Sequence, residues 1–132
     1  SIGISGFLEV LKRGAVDRLK REERLSKEVT LLDRLMAEIS KEEGGKAAYG
    51  KAGVRKALDY GAVETLLVSD AKLMKACSEE EEREEEEIEQ MLEEAERQRG
   101  EVVIFSTEFE PGKRLNALGG IAALLRFTIN PF

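Results

Sequence analysis

The sequence predicts an α/β domain whose sheet is covered by helices on both faces. Runs rich in Val, Leu and Ile at 62–69 and 102–106 lack the alternation of half-exposed strands, so they read as buried ones, and 120–129 is a near-continuous apolar strand. Between them, apolar residues recur at three- and four-residue intervals, which is the helical repeat. Glycines, and the pair Pro111-Gly112, punctuate the junctions. Strands alternating with helices at this spacing imply a sheet with helices packed on it.

Taken in order, Phe7, Leu8 and Leu11 form a short helical stripe after Ser5, an N-cap type, with Gly14 as its stop. Residues 15–24 are strongly charged. Leu25, Val29, Leu32, Leu35, Met36 and Ile39 then share one face of a long amphipathic helix ending before Gly44-Gly45. Residues 46–49 are a short strand. Residues 54–60 are a helix with Val54, Ala57 and Leu58 inward, closed by Gly61. After the strand at 62–69, Leu73, Met74 and Cys77 mark a short apolar turn. A glutamate run, expected to be solvated and frayed because it holds no apolar residue before Ile88, leads into a helix. The buried stripe of that helix is Ile88, Met91, Leu92 and Ala95, and it ends at Gly100. Residues 102–106 are a second buried strand, Pro111-Gly112 a loop, 114–118 a short helix and 120–129 the last strand.

Composition bounds the rest. The 132 residues, 42% of them apolar, suffice for one core, or for one domain plus a remnant of a neighbour. The chain opens on Ser1 and enters a helical pattern at once, as expected of a fragment of a longer protein. No run approaches the roughly 20 apolar residues of a membrane span, no secretory signal opens the chain, and the single Cys77 has no disulfide partner. A cytoplasmic protein with no membrane partner is therefore expected. The net charge of −6 conceals an asymmetry, because residues 79–101 hold 13 Glu against three Arg. The remaining residues carry 18 basic and 14 acidic groups, a balance compatible with work near RNA.

No active site is evident. Without histidine the commonest general base and metal ligand is missing, and one cysteine cannot build a zinc site, so no cofactor is expected. Neither a P-loop nor a G-x-S-x-G elbow occurs. The only carboxylates outside charge runs that could form an acid–base pair are Asp70, Glu108 and Glu110, and loop or capping roles suit them better. Cys77, beside the glutamates, reads as a small apolar core residue rather than a reactive thiol. Lys12, Arg13, Arg18, Lys20, Arg21 and Arg24 form a basic cluster that serves equally as a solvated face or as a contact for RNA.

Three segments carry a resemblance: A-A-Y-G at 47–50, G-A-V-E-T-L-L-V-S-D at 61–70, and L-G-G-I-A-A-L-L-R-F at 118–127. In this order and spacing they resemble the C-terminal domain of the Pelota family of ribosome-rescue factors, relatives of the class-1 release factors. The resemblance implies an α/β/α sandwich like that of kink-turn RNA-binding ribosomal proteins, preceded by helices from the end of a central domain. Residues 1–27 would be that remnant and 28–132 the C-terminal domain. It also implies a non-enzymatic domain in stalled-ribosome rescue and no-go mRNA decay. Its partners would be an elongation-factor-like translational GTPase, the ABC-type ATPase that splits ribosomes, and the ribosome. The short form and compact loops look archaeal.

Release factors carry a long inserted minidomain after the strand at 62–69, where this chain has room for little beyond one helix. They also favour G-G-I-G-G-I-L-R-Y where this chain has G-G-I-A-A-L-L-R-F. A class-1 release-factor domain and a stand-alone structured-RNA binder stand as alternatives. In the RNA-binding relatives, Gly-x-Asn-Glu before an apolar residue reads base edges at a helix N-terminus. Here that run is Gly50-Lys51-Ala52-Gly53-Val54, without either reader, so kink-turn recognition is not expected. Release factors dock their GTPase with a G-I-L-R-aromatic motif on the last strand, which corresponds to Ala123, Leu124, Leu125, Arg126 and Phe127 and departs from it at the first two positions. At least one of Leu124 and Leu125 is expected in the core.

Overall fold

The fold is described from a computed structural model covering residues 4–41, 45–73 and 78–129, with side chains from Lys20 onward. Helix α1 (Ile4–Ile39) runs 36 residues without a break, through Gly14 and through residues 27 and 28. Gly14 was expected to stop it. A single glycine costs a helix about 1 kcal/mol, too little to end one in a segment otherwise rich in Lys, Arg, Glu and Leu. Ser5 lies inside α1 rather than at its cap.

The later elements are β1 (Ala47–Tyr49), α2 (Gly50–Asp59), β2 (Val63–Ser69), a 3₁₀ turn (Asp70–Leu73), α3 (Glu79–Arg97), β3 (Glu101–Phe105), α4 (Glu110–Ala117) and β4 (Ile121–Leu125). The strand order is β1-β4-β2-β3. β4 is antiparallel to both of its neighbours, and β2 and β3 are parallel. A register shift between Val63 and Thr65 turns Val63 to the same face as Leu66 and Val68. Glu64 is left to meet Arg34 of α1 at 2.5 Å.

Two cores follow from period-2 alternation. On one face Ile121, Ala123 and Leu125 of β4, with Val63, Leu66 and Val68, pack against Val54, Ala57 and Leu58 of α2 and Ile88, Met91 and Ala95 of α3. On the other, Ala122, Leu124, Leu67 and Phe105 pack against Leu32 and Leu35 of α1 and Leu115 of α4. This is the α/β/α sandwich expected.

Three local expectations are corrected, and the start of one expected helix is located. β3 is an edge strand in which only Phe105 is buried, not a buried one, and Ile104 is 44% exposed. Its position in the sheet decides this, because one flank has no partner strand. Pro111 and Gly112 form the first turn of α4 rather than a loop, where proline's missing N–H is no loss. There α4 lies so close to the preceding loop that a Cβ on Gly112 would stand 1.9 Å from the Ser106 carbonyl oxygen. β4 ends at Leu125, not at residue 129. The glutamate run is helical from Glu79, because the Ser78 hydroxyl accepts from the Glu81 N–H at 3.2 Å and four first-turn carboxylates favour the positive end of the helix dipole. Lys72 to Glu84 (2.9 Å) and Lys51 to Glu87 (2.7 Å) tie it to the body. Of the apolar turn only Leu73 is described, in the 3₁₀ turn; Met74 and Cys77 lie outside the described residues.

Candidate protein-docking site

β4 is buried at all five positions because it is a central strand with a helical layer on each side. Ala123 and Leu125 point into the α2–α3 core and Leu124 into the α1–α4 core. Of the five candidate residues, three therefore hold the sheet together, and only Arg126 and Phe127 present side chains outside. Both of the leucine pair are core.

The backbone leaves the sheet under constraint. The Leu125 N–H donates to the Lys46 carbonyl (2.9 Å) and the Arg126 N–H to the Ala62 carbonyl (2.7 Å). The Arg126 guanidinium then donates to the carbonyl of Gln98, the C-cap of α3, at 2.8 Å. A cation on the negative end of a helix dipole is favourably placed. Gln98 in turn donates through Nε2 to the Leu58 carbonyl of α2 at 2.6 Å. Arg126 was expected to dock a partner; within the chain its guanidinium bonds a helix-end carbonyl, and the side chain remains exposed.

The surrounding turns are conformationally fixed. α2 closes through Ala62 N–H to the Ala57 carbonyl (3.0 Å), with Gly61 at φ 65°, where a side chain would be strained. Arg99 adopts φ 63° at the end of α3. Tyr60, 60% exposed, precedes Gly61, and Phe127, 46% exposed, follows Arg126. Since Ala62 and Arg126 are hydrogen-bonded neighbours, the two aromatics leave the same end of the sheet. Aromatic residues and Arg are the types most enriched at interface hot spots. Tyr60 was missed in the sequence because a tyrosine before a helix-closing glycine gives no sign of what lies beside it.

The other candidates are placed elsewhere. Asp70 Oδ1 accepts from the N–H (3.2 Å) and hydroxyl (2.9 Å) of Thr107, a loop-fastening role, while Glu108 and Glu110 are exposed. At the start of α2, Lys51 is paired with Glu87 and Ala52 is exposed. The hydrogen bonds from Lys72 and Lys51 hold the Glu84 and Glu87 carboxyls below their ordinary range. Of the basic cluster, Lys20 and Arg21 are exposed and Arg24 reaches β3; the side chains of Lys12, Arg13 and Arg18 lie outside the described residues. Among the described residues, no three His, Cys, Asp or Glu groups come together to hold a metal ion, and no helix is long and apolar enough to cross a membrane.

The family described as eRF1 domain 3 matches residues 25–129. The pelota homolog of Methanococcoides burtonii is 53% identical over 98% of this chain and 35% of its own length. Thus the chain spans about a third of the curated relatives it matches. Among solved structures, Archaeoglobus fulgidus Pelota superposes with a TM-score of 0.79 at 50% identity, over 99% of this chain and 39% of that one. An archaeal Pelota described bound to the ribosome with ABCE1 gives 0.73 at 44% identity, over 97% and 34%. Saccharomyces cerevisiae Dom34, described as a translation termination-like factor involved in RNA quality control and interacting with Hbs1, gives 0.73 at 29% identity, over 96% and 34%.

Proposed function

The chain belongs to the eRF1 domain 3 family, on its Pelota side, and from that membership we propose that it is the protein-interaction domain of a ribosome-rescue and mRNA-surveillance factor acting in no-go decay. It is non-catalytic, and it docks an elongation-factor-like translational GTPase and the ABC-type ATPase that splits ribosomes. The similarity to an archaeal Pelota described with the ribosome and ABCE1, and to Dom34, described as interacting with Hbs1, supports these partner classes. Residues 1–27 are the end of a preceding central domain and 28–132 the interaction domain, a division supported by the family match starting at residue 25.

The single observation that carries the docking surface is the exposed Arg126-Phe127 pair, held at the rim of the rigid sheet by the Arg126–Gln98 bond. Ala123, Leu124 and Leu125 serve docking only by fixing that rim. Titration of the chain with a purified archaeal elongation-factor-like GTPase, by calorimetry, tests the reading, and saturable one-to-one binding is expected. No binding to the GTPase, together with tight salt-dependent binding to a structured RNA, would replace it with the RNA-binding reading.

A further inference from the structure

Glu28 is the one acidic side chain among the described residues that is fully buried, and the role proposed above does not use it. It lies on α1 opposite the open edge of β3. Its Oε1 accepts from the Ser106 N–H at 2.6 Å, while Oε2 has no hydrogen-bond partner, only Arg24 Nε at 3.8 Å. Arg24, one helical turn earlier, donates through Nη2 to the Ile104 carbonyl at 3.1 Å. Residues 104 and 106 are two apart, so the carbonyl of one and the N–H of the other point out of the same sheet edge. Two side chains of α1 thus take up the hydrogen-bonding groups at and just beyond the free edge of β3.

We propose that the Glu28–Arg24 pair is a latch that fixes the direction of α1 against the sheet, and that its opening lets the N-terminal part of α1 swing as an arm. Toward the C-terminus of α1, Leu32 and Leu35 are buried in the core. Toward the N-terminus, no described side chain beyond Glu28 is fully buried: Leu25 is half-buried, and Arg24 and the ion pair of Lys27 with Glu101 reach the body. The arm from residue 4 to residue 27 is about 36 Å long, so a swing of about 15° at Glu28 moves its end by about 9 Å. The point gripped is rigid: Ser106 also accepts from the Phe109 N–H, and Gly112 lies against its carbonyl.

The latch is poised rather than tight. Burial pushes the Glu28 carboxyl above its ordinary range, and Asp70 adds to this. The Ser106 N–H and Arg24 oppose it without cancelling it. A carboxyl that titrates normally when the latch is open and higher when it is closed binds a proton more readily in the closed form. Acidification therefore favours closing, and the ionised group at neutral pH opposes it.

Double electron–electron resonance measures the arm directly. Spin labels replace the exposed Lys20 and Glu108 in a Cys77→Ser background, and folding of each variant is confirmed by circular dichroism. A swing of about 15° shifts the Lys20 label by about 3 Å. Glu28→Ala and Arg24→Ala should broaden the distance distribution; Glu28→Gln, uncharged but still an acceptor, should keep it narrow. The parent distribution should narrow as pH falls from neutral toward the ordinary glutamate range. If Glu28→Ala fails to fold, Arg24→Ala, whose partner carbonyl stays exposed to solvent, decides. Distributions unchanged in the folded alanine variants, with only the melting temperature lowered, would reduce Glu28 to a buried structural group and overturn the latch.

Discussion

Arg126→Ala separates docking from architecture, because the structure fixes what else the side chain does. It is exposed, and its one directed contact is the bond to the Gln98 carbonyl at the end of α3. A solvent-exposed bond of this kind, plus a cation at a helix C-terminus, contributes about 1 kcal/mol together, so the variant should fold and melt about 3–6 °C lower. The loss of an interface anchor costs about 2 kcal/mol, a roughly thirtyfold weaker complex. The affinity effect should thus exceed the stability effect. Arg126→Lys keeps a cation near the helix end but not the planar fork, so it should restore melting without restoring affinity. Leu124→Ala is the converse control: its side chain is wholly buried, so stability should fall by about 2–5 kcal/mol while the folded fraction still binds normally. Calorimetric titration of the GTPase, with thermal melts of each variant, reads both quantities. An Arg126→Ala domain that folds normally and binds as tightly as the parent would remove Arg126 from the docking surface.

Gly112→Ala should destabilise by at least about 2 kcal/mol in chemical denaturation, because the gain in helix propensity of about 1 kcal/mol is outweighed by a Cβ placed 1.9 Å from the Ser106 carbonyl oxygen. A neutral or stabilising result would show that α4 can shift freely. Ser78→Ala should cost about 1 kcal/mol and speed amide exchange at the start of α3, since it removes the acceptor for the Glu81 N–H. Glu28 should give a pH signature opposite to that of Glu84. Its raised carboxyl contributes stability that is full below the unfolded pKa and lost as pH rises through the folded one, whereas the Lys72-paired Glu84 contributes stability lost as pH falls. Glu28→Gln should therefore flatten the decline in melting temperature between mildly acidic and neutral pH, and an unchanged slope would contradict this. Finally, a kink-turn RNA should not bind in the sub-micromolar range; sequence-dependent binding abolished by changes at Ala52 would show the reverse.

Much of the layered architecture is local chemistry and was legible from the chain. Leu32 and Leu35 of the expected stripe place α1 on the sheet, although Val29 of the same stripe is 40% exposed; Val54, Ala57 and Leu58 do the same for α2, and Ile88, Met91 and Ala95 for α3, because helical period gathers such residues on one face. The near-continuous apolar run of β4 was legible as the last strand, and its central place was set by the strand order. The candidate motif at 123–127 was legible as a segment, but not as a division of labour. Only the strand order, which sets helices on both faces of β4, sends Ala123, Leu124 and Leu125 inward and stops the strand before Arg126. Where the period was equally clear but burial was not, β3 looked like β2 until its place at the sheet edge exposed Ile104. Gly112 looked like a loop residue because its reason, the approach of the Ser106 carbonyl, lies outside its own turn. Arg126 finds its carbonyl 28 positions away, and Glu28 finds its N–H 78 positions away. In sequence, Glu28 is one more glutamate on a charged helix. It is buried only because the chain returns to lay the edge of β3 beside it, and period and propensity carry no information about contacts of that range.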